Sequence, residues 1–228
     1  MSGQDMQAIA HLSRQLDIIP VETLGETITI VGAGAIGSWV ALSLAKMGLG
    51  NIHVIDFDDV SVENMNCQFY RFSDIGKSKP EALRDLVRDF TGSEISVETL
   101  RYEGKEQFPG IVISAVDSMT ARKIIWDGHK GSYKTKFLID PRMGAEQALL
   151  YVMNPSNKTD IATYEKTLYT DDDAVEERCT AKSTIYTANL LSGLVAKAVK
   201  DIITGGNYPR ITQWSIKDNH QKSWSKVH

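Results

Sequence analysis

Residues 27–37 read TITIVGAGAIG, and few folds accommodate such a string. A β-branched run carries the chain directly into glycines at 32, 34 and 37. SWVALSLAKMG follows, with Ile36, Val40, Leu44 and Met47 at helical spacing. Gly32 suits a tight turn, Gly34 lets backbone N–H groups approach an anion, and Gly37 lets the helix pack close to the strand. The helix N-terminus then offers its unpaired N–H groups to phosphate. Asp56 ends the next apolar strand, where a carboxylate can take both hydroxyls of a ribose. A nucleotide is expected here, although the loop alone fits NAD, FAD, S-adenosylmethionine or ATP equally well.

Beyond this unit, strand and helix signals keep alternating. NIHVID reads as a strand and SKPEALRDLVRDF as an amphipathic helix with Pro80 in its first turn. EISVETL and IVISAV are two further strands, Met119–Asp127 a short helix, and KFLID a strand. QALLYVMN then leads into a polar stretch, residues 155–178, with no clear periodicity and too long for an ordinary connection. A helix from STIYTANLL to Gly205-Gly206 and a closing strand, ITQWSIK, complete the chain. The expected fold is α/β: a doubly wound, mostly parallel, Rossmann-like sheet with antiparallel strands in the C-terminal part. Its 228 residues suit one domain spanning 1–228, with the ligand at the carboxyl ends of the strands.

Composition removes other classes. A net charge of -4 gives no overall basic surface for nucleic acid or anionic lipid. No apolar run approaches the roughly 20 residues of a membrane span, and the N-terminus lacks a signal layout, so a cytoplasmic protein is expected. The two cysteines, Cys67 and Cys179, form no CxxC pair, so no zinc is expected. His129, His220 and His228 have no partner at metal-ligand spacing, which points to surface positions. Trp214 and Trp224 suit either an interface or the core.

The choice of nucleotide rests on DFDDVSVENMNCQFYRFSDIGKSK. Asp56, Asp58 and Asp59 are followed by Asn64, Asn66, Gln68, Arg71, Lys77 and Lys79, so carboxylates, amides and cations share one connection. That set suits a triphosphate with its metal, although a solvated polar loop has the same composition. Asp117 follows the buried strand IVISAV, where it can cap the next helix and still ligate a metal.

Several spaced motifs now occur in order: Arg14-Gln15, GAGAIG, DFDDVSVENMNCQ, DIGKSK and Asp117-SMTA-Arg122. From about Arg14 to about Gly206 the sequence resembles the ThiF/MoeB/HesA group, the adenylating module of ubiquitin-activating enzymes and of enzymes that activate sulfur-carrier proteins. The resemblance implies ATP- and Mg2+-dependent adenylation of a C-terminal carboxylate on a ubiquitin-like or sulfur-carrier protein, or on a peptide. It implies that Gly32, Gly34, Gly37, Asp56 and Asp58 line the nucleotide site, with Asp56 on the ribose. Asn64, Gln68 and Lys79 would contact phosphates, and Asp117 would bind magnesium. Arg14 would act across a homodimer interface as an arginine finger, unless it is simply an exposed helical arginine. The stretch 155–178 resembles the family's crossover loop, where Tyr164, Tyr169 and the 171–173 aspartates would grip an extended chain or remain solvated.

Two cysteines qualify this picture. Cys67 stands where the family has an arginine, and a thiol cannot place a guanidinium fork on phosphate. Arg71 can fill that gap; otherwise the site is weakened. Cys179, in RCTAKSTIY with Arg178 and Lys182 beside it, has the setting of a low-pKa nucleophile that accepts the acyl group. It equally suits a small hydrophobe packed under a helix. Two readings stand beside the adenylating enzyme: a degenerate partner subunit of an active homologue, and an NAD-dependent oxidoreductase.

Overall fold

The computed structural model describes residues 10–169 and 183–224. Its strands are β1 (Ile28–Val31), β2 (Ile52–Asp56), β3 (Ser96–Thr99), β4 (Gly110–Ser114), β5 (Thr135–Gly144), β6 (Gln147–Met153), β7 (Ile211–Ser215) and β8 (His220–Trp224). They form one sheet in the order β3-β2-β1-β4-β5-β6-β7-β8. Neighbours from β3 through β5 pair parallel, and those from β5 through β8 pair antiparallel. The doubly wound sheet with an antiparallel C-terminal part is therefore the observed fold.

Five helices cover the sheet among the described residues: α1 (Gly37–Lys46), α2 (Lys79–Thr91), α3 (Met119–His129), α4 (Lys158–Glu165) and α5 (Ile185–Ile203). Every residue of β1 is buried, because its ITIV run faces apolar layers on both sides. Ile28 and Ile30 pack with Val40 and Leu44 of α1, Leu83 and Leu86 of α2, and Leu191 and Val195 of α5. Val31, on the opposite face, packs with Ile125 and Trp126 of α3 and Tyr164 of α4. Ser78 caps α2, Pro80 sits in its first turn, and Gly92 ends it in the left-handed conformation at φ 72°.

Four local expectations change. The polar 155–178 stretch contains α4, whose Asn157 side chain accepts from the amides of Thr159 and Asp160. Only Asp160 and Tyr164 of that helix are buried, too few to produce a readable apolar period. Strand β8 was invisible because HQKSW is exposed at every position and forms by pairing with β7. His129 is fully buried, against the surface expectation, since its ring satisfies both nitrogens inside the fold. The segment carrying Arg14 is a succession of turns, closed by bonds such as Gln15 N–H to Leu12 O at 2.9 Å. His220 is exposed, Trp214 packs on the core, and Trp224 lies on the outer strand.

Candidate nucleotide site

Strand order reverses between β1 and β4, and a crevice at such a point is where ligands bind in open α/β sheets. The loops leaving these two strands touch. A Cβ added to Gly32, whose φ is +101°, would lie 2.4 Å from the Ala115 carbonyl oxygen. One added to Gly37 would lie 1.9 Å from the Gly32 carbonyl oxygen. Gly34 differs: a Cβ there would meet only Gln68 Nε2, at 3.9 Å. Two glycines thus permit close packing, while the third leaves open space beside the loop backbone, where N–H groups can face an anion.

Asp56 closes one side. Its Oδ2 accepts the Ala33 amide at 2.6 Å and its Oδ1 the Asp58 amide at 2.8 Å. Each oxygen keeps a second lone pair for a ligand hydroxyl. The connection that follows folds back on itself, with Val60 N–H on Lys77 O and Gly76 N–H on Val60 O, both at 2.8 Å. That closure brings Lys79 to Asp58: the ammonium lies 2.9 Å from Asp58 Oδ2, and the Lys79 amide lies 2.9 Å from the Asp58 carbonyl. Lys79 is buried and Asp58 about half exposed. Asn64 Oδ1 accepts the Ser61 amide at 3.2 Å, which leaves its NH2 to donate. Gln68 Oε1 is buried with no hydrogen-bond partner among the described residues, beside the open space at Gly34.

The position of the missing arginine is a packed corner. Cys67 is buried, its Sγ lies 3.1 Å from Ser183 Oγ, and its carbonyl accepts Trp39 Nε1–H at 2.9 Å. Arg71 does not fill the gap in this arrangement. Its guanidinium is held by Asp74 and Asp89, each at 3.0 Å. Burial raises the Asp74 carboxyl, but Lys77 and Arg71 more than offset that and hold it below the usual carboxylate range.

Asp117 follows β4 on the loop that touches Gly32. It is exposed and makes no side-chain hydrogen bond or ion pair among the described residues. The cap of α3 is Ser118, whose Oγ accepts the Ala121 amide at 3.2 Å, so the capping role expected of Asp117 is overturned. Among the described residues no three His, Cys, Asp or Glu converge on a metal position. One carboxylate is nevertheless a sufficient protein ligand for a magnesium ion that also takes substrate phosphate oxygens.

Arg122, the last residue of the DxxxxR motif, is buried and anchors the loop from beneath. It donates to Ser114 O at 3.3 Å, to Pro141 O at 3.4 Å, to Val116 O, and to Asp140. Asp140 also receives Arg142 at 2.7 Å and the Tyr164 hydroxyl at 2.8 Å, so Tyr164 is a core residue and unavailable to grip a substrate. Sequence reasoning missed Asp140, Arg142, Ser38 and Tyr70, since none lies at a motif position. Arg14 is exposed, while its neighbour Gln15 is tied to Met47 O at 2.6 Å. Tyr169 is exposed, and Cys179 with the 171–173 aspartates lies outside the described residues.

Sheet order, glycine loop and switch-point crevice together define a Rossmann-like α/β protein. The chain belongs to the ThiF family, which its sequence matches over residues 21–228. It is 36% identical over 105 residues to the NEDD8-activating enzyme E1 catalytic subunit of Dictyostelium discoideum, a match covering 43% of this chain and 24% of that protein. It is 44% identical over 62 residues to the tRNA threonylcarbamoyladenosine dehydratase of Escherichia coli K12, covering 27% of this chain and 23% of that protein. These curated relatives are therefore matched over only about a quarter of their length. Among solved structures, E. coli MccB with ATP has a TM-score of 0.76 at 16% identity, over 93% of this chain and 70% of that one. The Microcin C7 biosynthetic enzyme MccB in complex with N-formylated MccA has a TM-score of 0.78 at 16% identity, over 93% and 71%. Among the described residues no helix is long and apolar enough to cross a membrane.

Proposed function

We propose that this protein is an adenylyltransferase that uses ATP and magnesium to activate a C-terminal carboxylate on a ubiquitin-like or sulfur-carrier protein, or on a peptide. The observation that carries the reading is the open space at Gly34, next to the Asp56 carboxylate that holds the Ala33 amide, in a chain where Asp58 in turn holds the Lys79 ammonium. Family membership supports the same chemistry, as do relatives named for activating NEDD8 and a fold neighbour crystallised with ATP.

In this reading Asp56 holds the ribose, with Gly32, Gly34 and Gly37 shaping the phosphate loop. Lys79, Asn64 and Gln68 contact phosphates, and Asp58 keeps Lys79 oriented. Asp117 would hold the magnesium ion, which supplies charge neutralisation on the phosphates when bound. A carboxylate oxygen attacks the α-phosphorus, its bond to pyrophosphate breaks, and an acyl-adenylate forms. The chain's own contribution is positioning and charge stabilisation. Arg14 serves the partner's site in a homodimer, and Cys179 accepts the acyl group where the reaction continues to a thioester. No nucleic-acid or membrane partner belongs to this reading, nor does zinc, and the compartment is the cytoplasm.

A second reading is favoured by one observation: Cys67 replaces the expected arginine while Arg71 is held by Asp74 and Asp89. It makes the chain a non-catalytic partner of an active homologue. ATP–pyrophosphate exchange with candidate carriers ending in Gly-Gly separates the two. Exchange that depends on a carrier and on Lys79 supports the enzyme. No exchange, no measurable ATP binding alone and a stable heterodimer with a homologue support the partner subunit. Tight NADH binding without exchange sinks both.

A further inference from the structure

We infer that Tyr70 and Ser38 are positioning residues for the phosphate loop, setting which edge of two successive peptide units faces the anion; this rests on the nucleotide-site reading above. The Tyr70 hydroxyl donates to the Ala33 carbonyl at 2.7 Å, and the Ser38 hydroxyl donates to the Gly34 carbonyl at 2.8 Å. In a trans peptide the carbonyl and the following N–H point in opposite directions. Drawing the Ala33 carbonyl toward Tyr70 therefore turns the Gly34 N–H away from Tyr70. Drawing the Gly34 carbonyl toward Ser38 turns the Ala35 N–H away from α1. Neither amide has a hydrogen-bond acceptor among the described residues.

The opposite arrangement would be unfavourable for binding. A peptide flipped by half a turn would direct a carbonyl oxygen at a phosphate, replacing a donor with a repelling dipole. Three further contacts lock the same segment. Asp56 takes the Ala33 amide at 2.6 Å, the Ser38 amide reaches the Gly34 carbonyl at 3.1 Å, and Ser38 Oγ accepts the Phe69 amide at 3.0 Å. The Phe69–Tyr70 backbone is thus tied to the loop it braces. Tyr70 and Ser38 are both buried, so neither hydroxyl has water as an alternative partner. Burial first, and then the charges of Asp56, Asp74 and Asp58, raise the Tyr70 phenol well above its ordinary value, which keeps its proton available to donate. With a thiol at position 67, loop amides and Lys79 take a larger share of phosphate recognition, and their orientation matters correspondingly more.

The test compares Tyr70→Phe and Ser38→Ala with the unaltered protein, using calorimetric titration with Mg-ATP and with inorganic tripolyphosphate. A saturation-transfer NMR titration with adenosine is run alongside. Each variant is expected to weaken both phosphate ligands in parallel, by about 5- to 10-fold for one lost orienting hydrogen bond. Adenosine binding and the circular dichroism spectrum are expected to stay unchanged. In amide NMR spectra, the tripolyphosphate-induced shifts of Gly34 and Ala35 should shrink in the variants. A purely structural role lowers adenosine and tripolyphosphate binding together, and overturns the inference. So does tripolyphosphate affinity that is unchanged in both folded variants. If the unaltered protein binds neither phosphate ligand, the nucleotide-site reading itself has failed, a result separate from failure of the variants alone.

Discussion

Gly34 and Gly37 are glycines for opposite reasons, and substitution separates them. At Gly37 a methyl group would collide with the Gly32 carbonyl oxygen at 1.9 Å, which is backbone and cannot swing aside. Gly37→Ala is therefore expected to destabilise the fold by about 1–3 kcal/mol, read as a lower urea midpoint. At Gly34 the same methyl enters open space. Gly34→Ala is expected to leave the midpoint within about 0.5 kcal/mol while weakening Mg-ATP by about tenfold, because the methyl occupies the space proposed for the anion. Equal effects on stability at both positions would contradict this geometry. Both glycines were legible in the spacing GxGxxG. Their different neighbours were not, because the Gly32 carbonyl meets Gly37 only once the turn has closed, and Ala115 and Gln68 arrive from far away in the sequence.

At the scale of elements, the junction of β5, α3 and α4 is organised by charge. Asp140 is fully buried and receives Arg122, Arg142 and Tyr164, while Arg142 continues to the Thr167 carbonyl at 2.8 Å. Burial alone would pull the Arg142 pKa down, but Asp140 reverses the direction and raises it. Asp140→Asn leaves two guanidinium groups without their carboxylate. A loss of about 3–5 kcal/mol is expected, measured by denaturant titration. The C-terminal turn of α3 carries a second buried group. His129 Nε2 accepts the Phe108 amide at 3.4 Å, so Nδ1 carries the proton toward Ile125 O at 3.1 Å. Tyr102 Oη lies 3.3 Å from the same nitrogen. Burial lowers the His129 pKa, outweighing the Ile125 carbonyl, so the unfolded chain binds more protons than the folded one. Stability from this group is fully present above the unfolded value of about 6.5 and declines as pH falls through it toward the lower folded value. Urea midpoints should fall from about pH 7 to about pH 5, and His129→Asn should flatten that slope. An unchanged slope in the variant would assign the acid sensitivity elsewhere.

For the whole molecule, Arg14 lies by the C-terminal end of α1, while the glycine loop lies at its N-terminal end. Arg14 is exposed, held near α1 by the Gln15 bond to Met47 O. An arginine finger serving a partner's site predicts complementation between inactive variants. Arg14→Ala and Lys79→Met should each abolish carrier-dependent pyrophosphate exchange. Mixing and refolding them together should restore a measurable fraction, since a mixed dimer contains one site with both groups intact. Activity that never returns, in a mixture shown by light scattering to contain dimers, removes Arg14 from the reaction.

Periodicity and local chemistry in the chain determined the alternating strands and helices, the glycine turn, and the charged residues that follow the second strand. These signals are local: a β-branched run, a cap or a glycine acts within a few residues of itself. Tertiary structure alone decided that Ser118, and not Asp117, caps α3, that Arg71 is bound by Asp74 and Asp89, and that Tyr164 and His129 are core residues. It also decided that the polar HQKSW segment is a strand, because β7 supplies its partner. In each case the outcome depends on which distant groups arrive to satisfy a charge or a hydrogen bond, and chain-local preference holds no record of that encounter.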